Sequence, residues 1–148
     1  MTTEILLRYV HFTSIFFIVG SLFTEFVLLK KEMSRSELTR LSRIDAVYGI
    51  ASIALLAAGL TLWLGSIGKP SEFYTKNPIF LIKLGLFTVV GLLSIYPTVY
   101  FLRNRKGNEN EVLTTPPVLT WMLRVELILI FVIPLLAGIM AKGVGLSE

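Results

Sequence analysis

The stretch Ile79–Leu102 reads IFLIKLGLFTVVGLLSIYPTVYFL, an apolar run interrupted by a single charge, Lys83. About 20 consecutive apolar residues suffice for a helix to cross the hydrocarbon core of a bilayer. Ahead of the run, Asn77-Pro78 sets a cap residue before a proline at the first helical position, and Lys106-Gly107-Asn108-Glu109-Asn110 ends it. Working outward, the same pattern recurs at Ile5–Leu29, at about Ala46–Leu64 and at Val118–Ala141. Thr2 or Thr3 can cap the first of these helices, Ser34-Arg35-Ser36-Glu37 has the form of a capping box, and Thr115-Pro116 repeats the cap–proline device before the last. Gly65, Gly68 and Pro70 close the second. The expectation is an all-α integral membrane four-helix bundle, one domain across residues 1–148, with helices at about 4–29, 36–65, 78–104 and 116–142. The short connections leave no room for a soluble catalytic domain.

Composition agrees with a lipid solvent. The residues A, V, I, L, M, F, W, Y and C make up 54% of the 148-residue chain and charged residues only 16%, against about 25% charged in an ordinary soluble domain. With no cysteine, the chain can form no disulfide, thiolate metal site, covalent c-type haem or cysteine nucleophile. The first helix is too long for a signal peptide, carries Arg8, His11 and Glu25, and lacks a cleavage site after it, so it is expected to be permanent. Lys30, Lys31, Arg35, Arg40, Arg43, Arg103, Arg105 and Lys106 fall on one side of the membrane, and Lys69, Lys76 and Lys142 on the other. The positive-inside rule then puts both rich connections in the cytoplasm of a bacterial inner membrane and both termini outside. Contacts with anionic lipid account for the basic excess without nucleic acid.

Ionisable residues inside the spans carry whatever chemistry there is, because each is expensive there and faces the bundle interior. At about 100° per residue, Arg8, His11, Ser14, Ser21 and Glu25 form one polar stripe on the first helix. Lys83 shares a face of the third helix with Phe87, Val90, Ser94 and Phe101, at a depth comparable to that of His11. The two side chains are expected to meet in a cavity in the outer half. A second group, Glu25, Asp45, Tyr48, Tyr96, Arg124 and Glu126, belongs to the inner half. Arg124 and Glu126 lie about 200° apart on their helix, so Arg124 is placed at the lipid and Glu126 inward. Gly49, Ser52 and Gly59 offer a small-residue seam, and Pro97 and Pro134 are expected to bend their helices. Simpler roles stand beside these. His11 could bond a neighbouring helix, Lys83 could snorkel to the interface, and Asp45 could pair with Arg40 or Arg43. Tyr9, Trp63, Tyr74 and Trp121 read as interface aromatics.

The chain has one His, so one chain cannot supply bis-histidine haem ligation or a His-rich metal site. One imidazole at membrane depth, with cations and apolar walls, fits haem b with His11 as an axial ligand and Arg8 or Lys69 at the propionates. Lys83 is then a second ligand or the acid–base group for oxidation of a lipophilic reduced substrate, a porphyrinogen or a quinol. The rival readings are a non-enzymatic structural subunit of a larger membrane complex and a proton- or solute-conducting bundle. Four short helices bury little surface alone, which favours a homodimer or small homo-oligomer.

The order of these features resembles the HemJ-type protoporphyrinogen IX oxidases, small four-helix membrane proteins of bacteria. The residues that carry the resemblance are Tyr9-Val10-His11-Phe12, Leu41-Ser42-Arg43-Ile44, Phe80-Leu81-Ile82-Lys83-Leu84, Leu102-Arg103-Asn104-Arg105-Lys106 and Arg124-Val125-Glu126. That resemblance implies a haem b ligand at His11 and a lysine needed for activity at Lys83. The stretches Asp45-Ala46-Val47-Tyr48-Gly49 and Phe73-Tyr74-Thr75-Lys76-Asn77-Pro78 look more like a sister family of bacterial four-helix membrane proteins with no assigned activity.

Overall fold

The computed structural model describes residues 1–144; the end of the expected 1–148 domain lies outside them. Its long helices are α1 (Thr2–Leu28), α2 (Arg35–Leu64), α4 (Pro78–Asn104) and α5 (Pro117–Ala141), all long and apolar enough to cross a membrane. Every boundary falls within two residues of the sequence reading. Three short elements go beyond that reading: strands β1 (Glu32–Ser34) and β2 (Val112–Thr114), and the five-residue helix α3 (Ser71–Thr75). Around the bundle, α1 packs on α2 and α5, and α4 packs on α5 and α2, so chain neighbours run antiparallel in a closed ring.

Two of the four cap signals form as expected. The Ser34 hydroxyl accepts from the Glu37 N–H (3.2 Å), and the Ser34 N–H donates to the Glu37 carboxylate (3.3 Å), a complete capping box. Asn77 accepts from the Ile79 N–H at 2.9 Å, with Pro78 in the first turn. Thr2 and Thr3, by contrast, sit inside α1, whose cap position is Met1 with no side-chain bond. Nor does Thr115 cap α5. The backbone there is still extended after β2, Pro116 takes the cap position, and the Thr115 hydroxyl donates to the carbonyls of Lys30 and Lys31. Pro97 and Pro134 lie inside α4 and α5, and both helices continue past them.

The two strands pair antiparallel, Met33 opposite Leu113, and tie together the two basic connections at one end of the bundle. Arg35 fastens this end. Its Nε donates to Glu111 at 2.8 Å and its Nη1 to the Asn104 carbonyl at 2.8 Å. Gly107, at φ +130°, passes so close that a Cβ there would stand 2.7 Å from the Arg35 Nε. Beneath the sheet, Met33, Leu38, Leu41, Phe101 and Leu119 form an apolar layer. A second layer, with Ile18, Leu22, Ala51, Val90 and Ile130, fills the middle of the bundle. The outer surface is apolar too: Phe16 is 77% and Ile53 72% exposed, while Glu25 and Glu126 are each 1% exposed. That inversion of the usual pattern is the signature of a protein solvated by lipid.

Two outcomes test this end of the fold. Ser34→Ala removes the capping box and should cost about 1 kcal/mol of stability, measured by unfolding in mixed detergent. The hydrogen bond and charge of Arg35 hold the Glu111 carboxyl below the usual carboxylate range. A carboxyl depressed in this way stabilises the fold above its ordinary titration range and ceases to as pH falls through its folded value. In Arg35→Gln, the NMR titration of Glu111 should return to the ordinary range.

Candidate functional site

At the end of the bundle away from the strands lies a cavity of about 580 Å³, within the size range of small-molecule and cofactor sites. All four long helices and α3 contribute to it. The stripe on α1 brings Arg8 and His11, α4 brings Lys83, the α2–α3 connection brings Lys69, and α5 closes the wall with Ile133, Pro134 and Ala137. Arg8, His11 and Lys83, which spacing and depth put together, and Lys69, named beside Arg8 for the propionates, line one space. The remaining lining is apolar or aromatic.

The His11 ring is oriented by α2. A Cβ on Gly59 would touch its Cε1 at 3.4 Å and its Nδ1 at 3.5 Å, so the glycine lets that edge lie flat against the helix. Nδ1 is buried without a hydrogen-bond partner of good geometry, next to the Leu55 backbone. Nε2 is left on the open side. Around it the cations are held separately. Arg8 Nε pairs with Glu4 at 2.9 Å, and that pair packs over Gly68. The φ of +84° at Gly68 demands glycine, and so does the space, since a Cβ there would stand 2.5 Å from the Glu4 carboxylate. Lys69 Nζ sits 4.0 Å from the centroid of the Phe73 ring and Lys83 Nζ 5.8 Å from that of Phe80. Neither lysine forms an ion pair among the described residues.

Sequence reading missed the aromatic wall. Trp63, Phe73, Tyr74 and Phe80 all face the cavity, with Trp63 and Phe80 centroids 5.0 Å apart and Tyr74 and Phe80 5.4 Å apart. Trp63 and Tyr74 thus belong to the cavity wall, where their sequence positions suggest the membrane interface. The Gly65, Gly68 and Pro70 breaks concealed that Ser71–Thr75 forms another helical turn, which Trp63 holds by donating to Thr75 at 3.0 Å.

The inner group separates as expected in part. Glu25, Asp45, Tyr48 and Glu126 are buried together, whereas Tyr96 and Arg124 are exposed. Arg124 leans outward over Trp121 (5.1 Å) and Phe26 (5.9 Å). Tyr48 donates to Glu126 at 3.3 Å, Glu25 stands beside Asp45, and Thr98 and Ser94 approach Asp45 and Tyr48 from α4. The simple pairing of Asp45 with Arg40 or Arg43 is not formed, because Asp45 points into the bundle and both arginines are exposed. Of the expected small-residue seam only Gly59 makes a close approach; nothing lies within 4 Å of a Cβ on Gly49. Among the described residues, no group of three or more His, Cys, Asp or Glu is arranged to hold a metal ion.

Tyr48→Phe would leave both buried oxygens of Glu126 without a donor. It should destabilise the protein by about 1–3 kcal/mol while leaving its helical content unchanged, measured by detergent unfolding and circular dichroism.

Residues 3–145 match the model of a family described as predicted membrane protein (DUF2214), and the chain belongs to that family. The description gives membrane character and no activity, so it bears on the sister-family resemblance and does not extend to the HemJ type. No curated protein and no solved structure matches the chain.

Proposed function

We propose that this multi-pass membrane protein of the DUF2214 family binds haem b in the outer cavity, with His11 as the axial ligand. The observation that carries the reading is the convergence of the chain's single His and three cations on one apolar space. The donor set fits the group. The imidazole has one nitrogen buried beside the Leu55 backbone and Gly59 and the other toward the cavity, so packing against α2 rather than a hydrogen bond fixes the ring. Arg8 and Lys69, toward the outer end, suit two carboxylates, and the aromatic wall suits a flat ring. Haem b bound there supplies one-electron chemistry.

The chain's own part is to bind, orient and handle protons. With one His per chain, a second ligand to the iron would come from Lys83, a Met or Tyr of the wall such as Met140 or Tyr74, water, or His11 of a second copy. Lys83, free of any ion pair among the described residues, is the acid–base group for a lipophilic reduced substrate of the porphyrinogen or quinol class. The basic end is assigned to the cytoplasm and the cavity to the outer half of a bacterial inner membrane. A homodimer would supply the second copy.

Two measurements decide. Haem titrated into the purified protein should give a Soret band and quench Trp63 fluorescence, recorded in Trp121→Phe so that only the cavity tryptophan emits. His11→Ala should lose the band, and Gly59→Leu, which crowds the ring from α2, should weaken haem binding at least tenfold. A colourless protein with unquenched Trp63 contradicts the reading, and copurifying partners with full tolerance of His11→Ala would make the chain a structural subunit. For orientation, Asn108→Cys supplies a unique thiol; it should react with an impermeant reagent only after the cells are opened. Reaction from outside reverses the topology.

A further inference from the structure

None of the four buried groups of the second cluster lines the cavity; Tyr48 packs in one apolar layer with Ile18, Leu22, Ala51, Val90 and Ile130, and a separate layer of Leu38, Leu41, Phe101 and Leu119 packs with Met33 of the small sheet. The four groups come from three helices: Glu25 from α1, Asp45 and Tyr48 from α2, Glu126 from α5. From the fourth, α4, the hydroxyls of Ser94 and Thr98 approach. No ion pair among the described residues includes any of the three carboxyls. Toward the basic end, Arg105 is spent on Ser42, one turn from Asp45, at 3.4 Å. Arg124 faces the lipid.

One further observation points to what is missing. Glu25 and Glu126 are each 1% exposed, and one oxygen of each, Oε1 and Oε2 respectively, is buried with no hydrogen-bond partner. A buried carboxylate needs a cation or donors to replace its water. Tyr48 supplies a donor to Glu126; Glu25 faces another carboxyl instead. The group is not arranged to hold a metal ion. Two carboxyl groups side by side in a dry interior attract each other only through a proton held between them.

We propose that the cluster is a buried proton-binding site, in which Glu25 and Asp45 share one proton taken from water and so bind α1 to α2. The proton removes one negative charge and gives Glu25 the hydrogen-bond donor it otherwise lacks. Tyr48 supplies a hydrogen-bond donor to one oxygen of Glu126, binding α2 to α5. Besides Tyr48 and Glu126, no titratable group among the described residues faces the pair. The site is distinct from the outer cavity and stands whether or not haem binds there.

The infrared spectrum of the protein in lipid nanodiscs tests this. At neutral pH the wild type should show the C=O stretch of a protonated carboxyl, shifting in heavy water. The band should lose the intensity of one carboxyl in the double variant Glu25→Gln/Asp45→Asn. Because amides donate the hydrogen that the shared proton supplies, that variant should still fold and melt close to the wild type. Glu126→Gln should keep the shared-proton band. A wild type with no protonated-carboxyl band overturns the proposal, as does a band unchanged in the double variant. Stoichiometric sodium or calcium found by elemental analysis in the wild type and lost in the double variant would also overturn it.

Discussion

Hydrocarbon offers no hydrogen bonds. In it every backbone N–H and C=O must be satisfied inside the segment that crosses, and every charge must find the interior or the interface. The structure follows from that constraint at each scale. Hydroxyls on the spans bond carbonyls of their own helix, Thr24 to Gly20, Ser52 to Tyr48, Thr61 to Ala57 and Thr88 to Leu84. Phe16 and Ile53 face outward, and Glu25 and Glu126 face inward. Arg124 and Glu126, two residues apart, go opposite ways: one lies over ring faces at the surface, the other is fully buried.

Because polar groups are driven inward, they collect into centres, and the apolar side chains between them act as insulation. Here there are two centres. The outer one is cationic and hollow, with Arg8, His11, Lys69 and Lys83 around one space. The other is acidic and filled, and none of its residues lines the cavity. Two centres of opposite charge type, sharing no lining residue, fit the separate tasks proposed above: ligand binding at the cavity and helix cohesion at the acidic cluster. The small sheet and Arg35 close the basic end, so the bundle is pinned where the basic connections are dense, and the cavity lies at the other end.

The legible part of this in the sequence was whatever periodicity and hydropathy encode. The spans, the α1 stripe and the opposed directions of Arg124 and Glu126 follow from 100° per residue and from hydropathy. That His11 and Lys83 line one cavity followed from equal depth on their helices. Thr115 misleads as a cap because a threonine before proline serves equally as a strand end, and its hydroxyl goes to the Lys30 and Lys31 carbonyls across the sheet. That contact joins distant parts of the chain, and no local pattern announces it. The aromatic wall was hidden for a similar reason: Trp63, Phe73, Tyr74 and Phe80 come together only once α3 folds back, and Trp63 and Tyr74 alone read as interface aromatics. Asp45 looks paired because arginines precede it, yet helix geometry turns it the other way.

The claim on which the functional account rests is that the single imidazole of the chain meets a haem iron. Its uniqueness makes the measurement direct. Protein produced with nitrogen-15 only in histidine, loaded with haem and examined by pulsed electron paramagnetic resonance, has one labelled residue, His11. The account predicts a hyperfine coupling from a labelled nitrogen bound to the iron. Haem bound to the protein with no coupling to labelled histidine would contradict it.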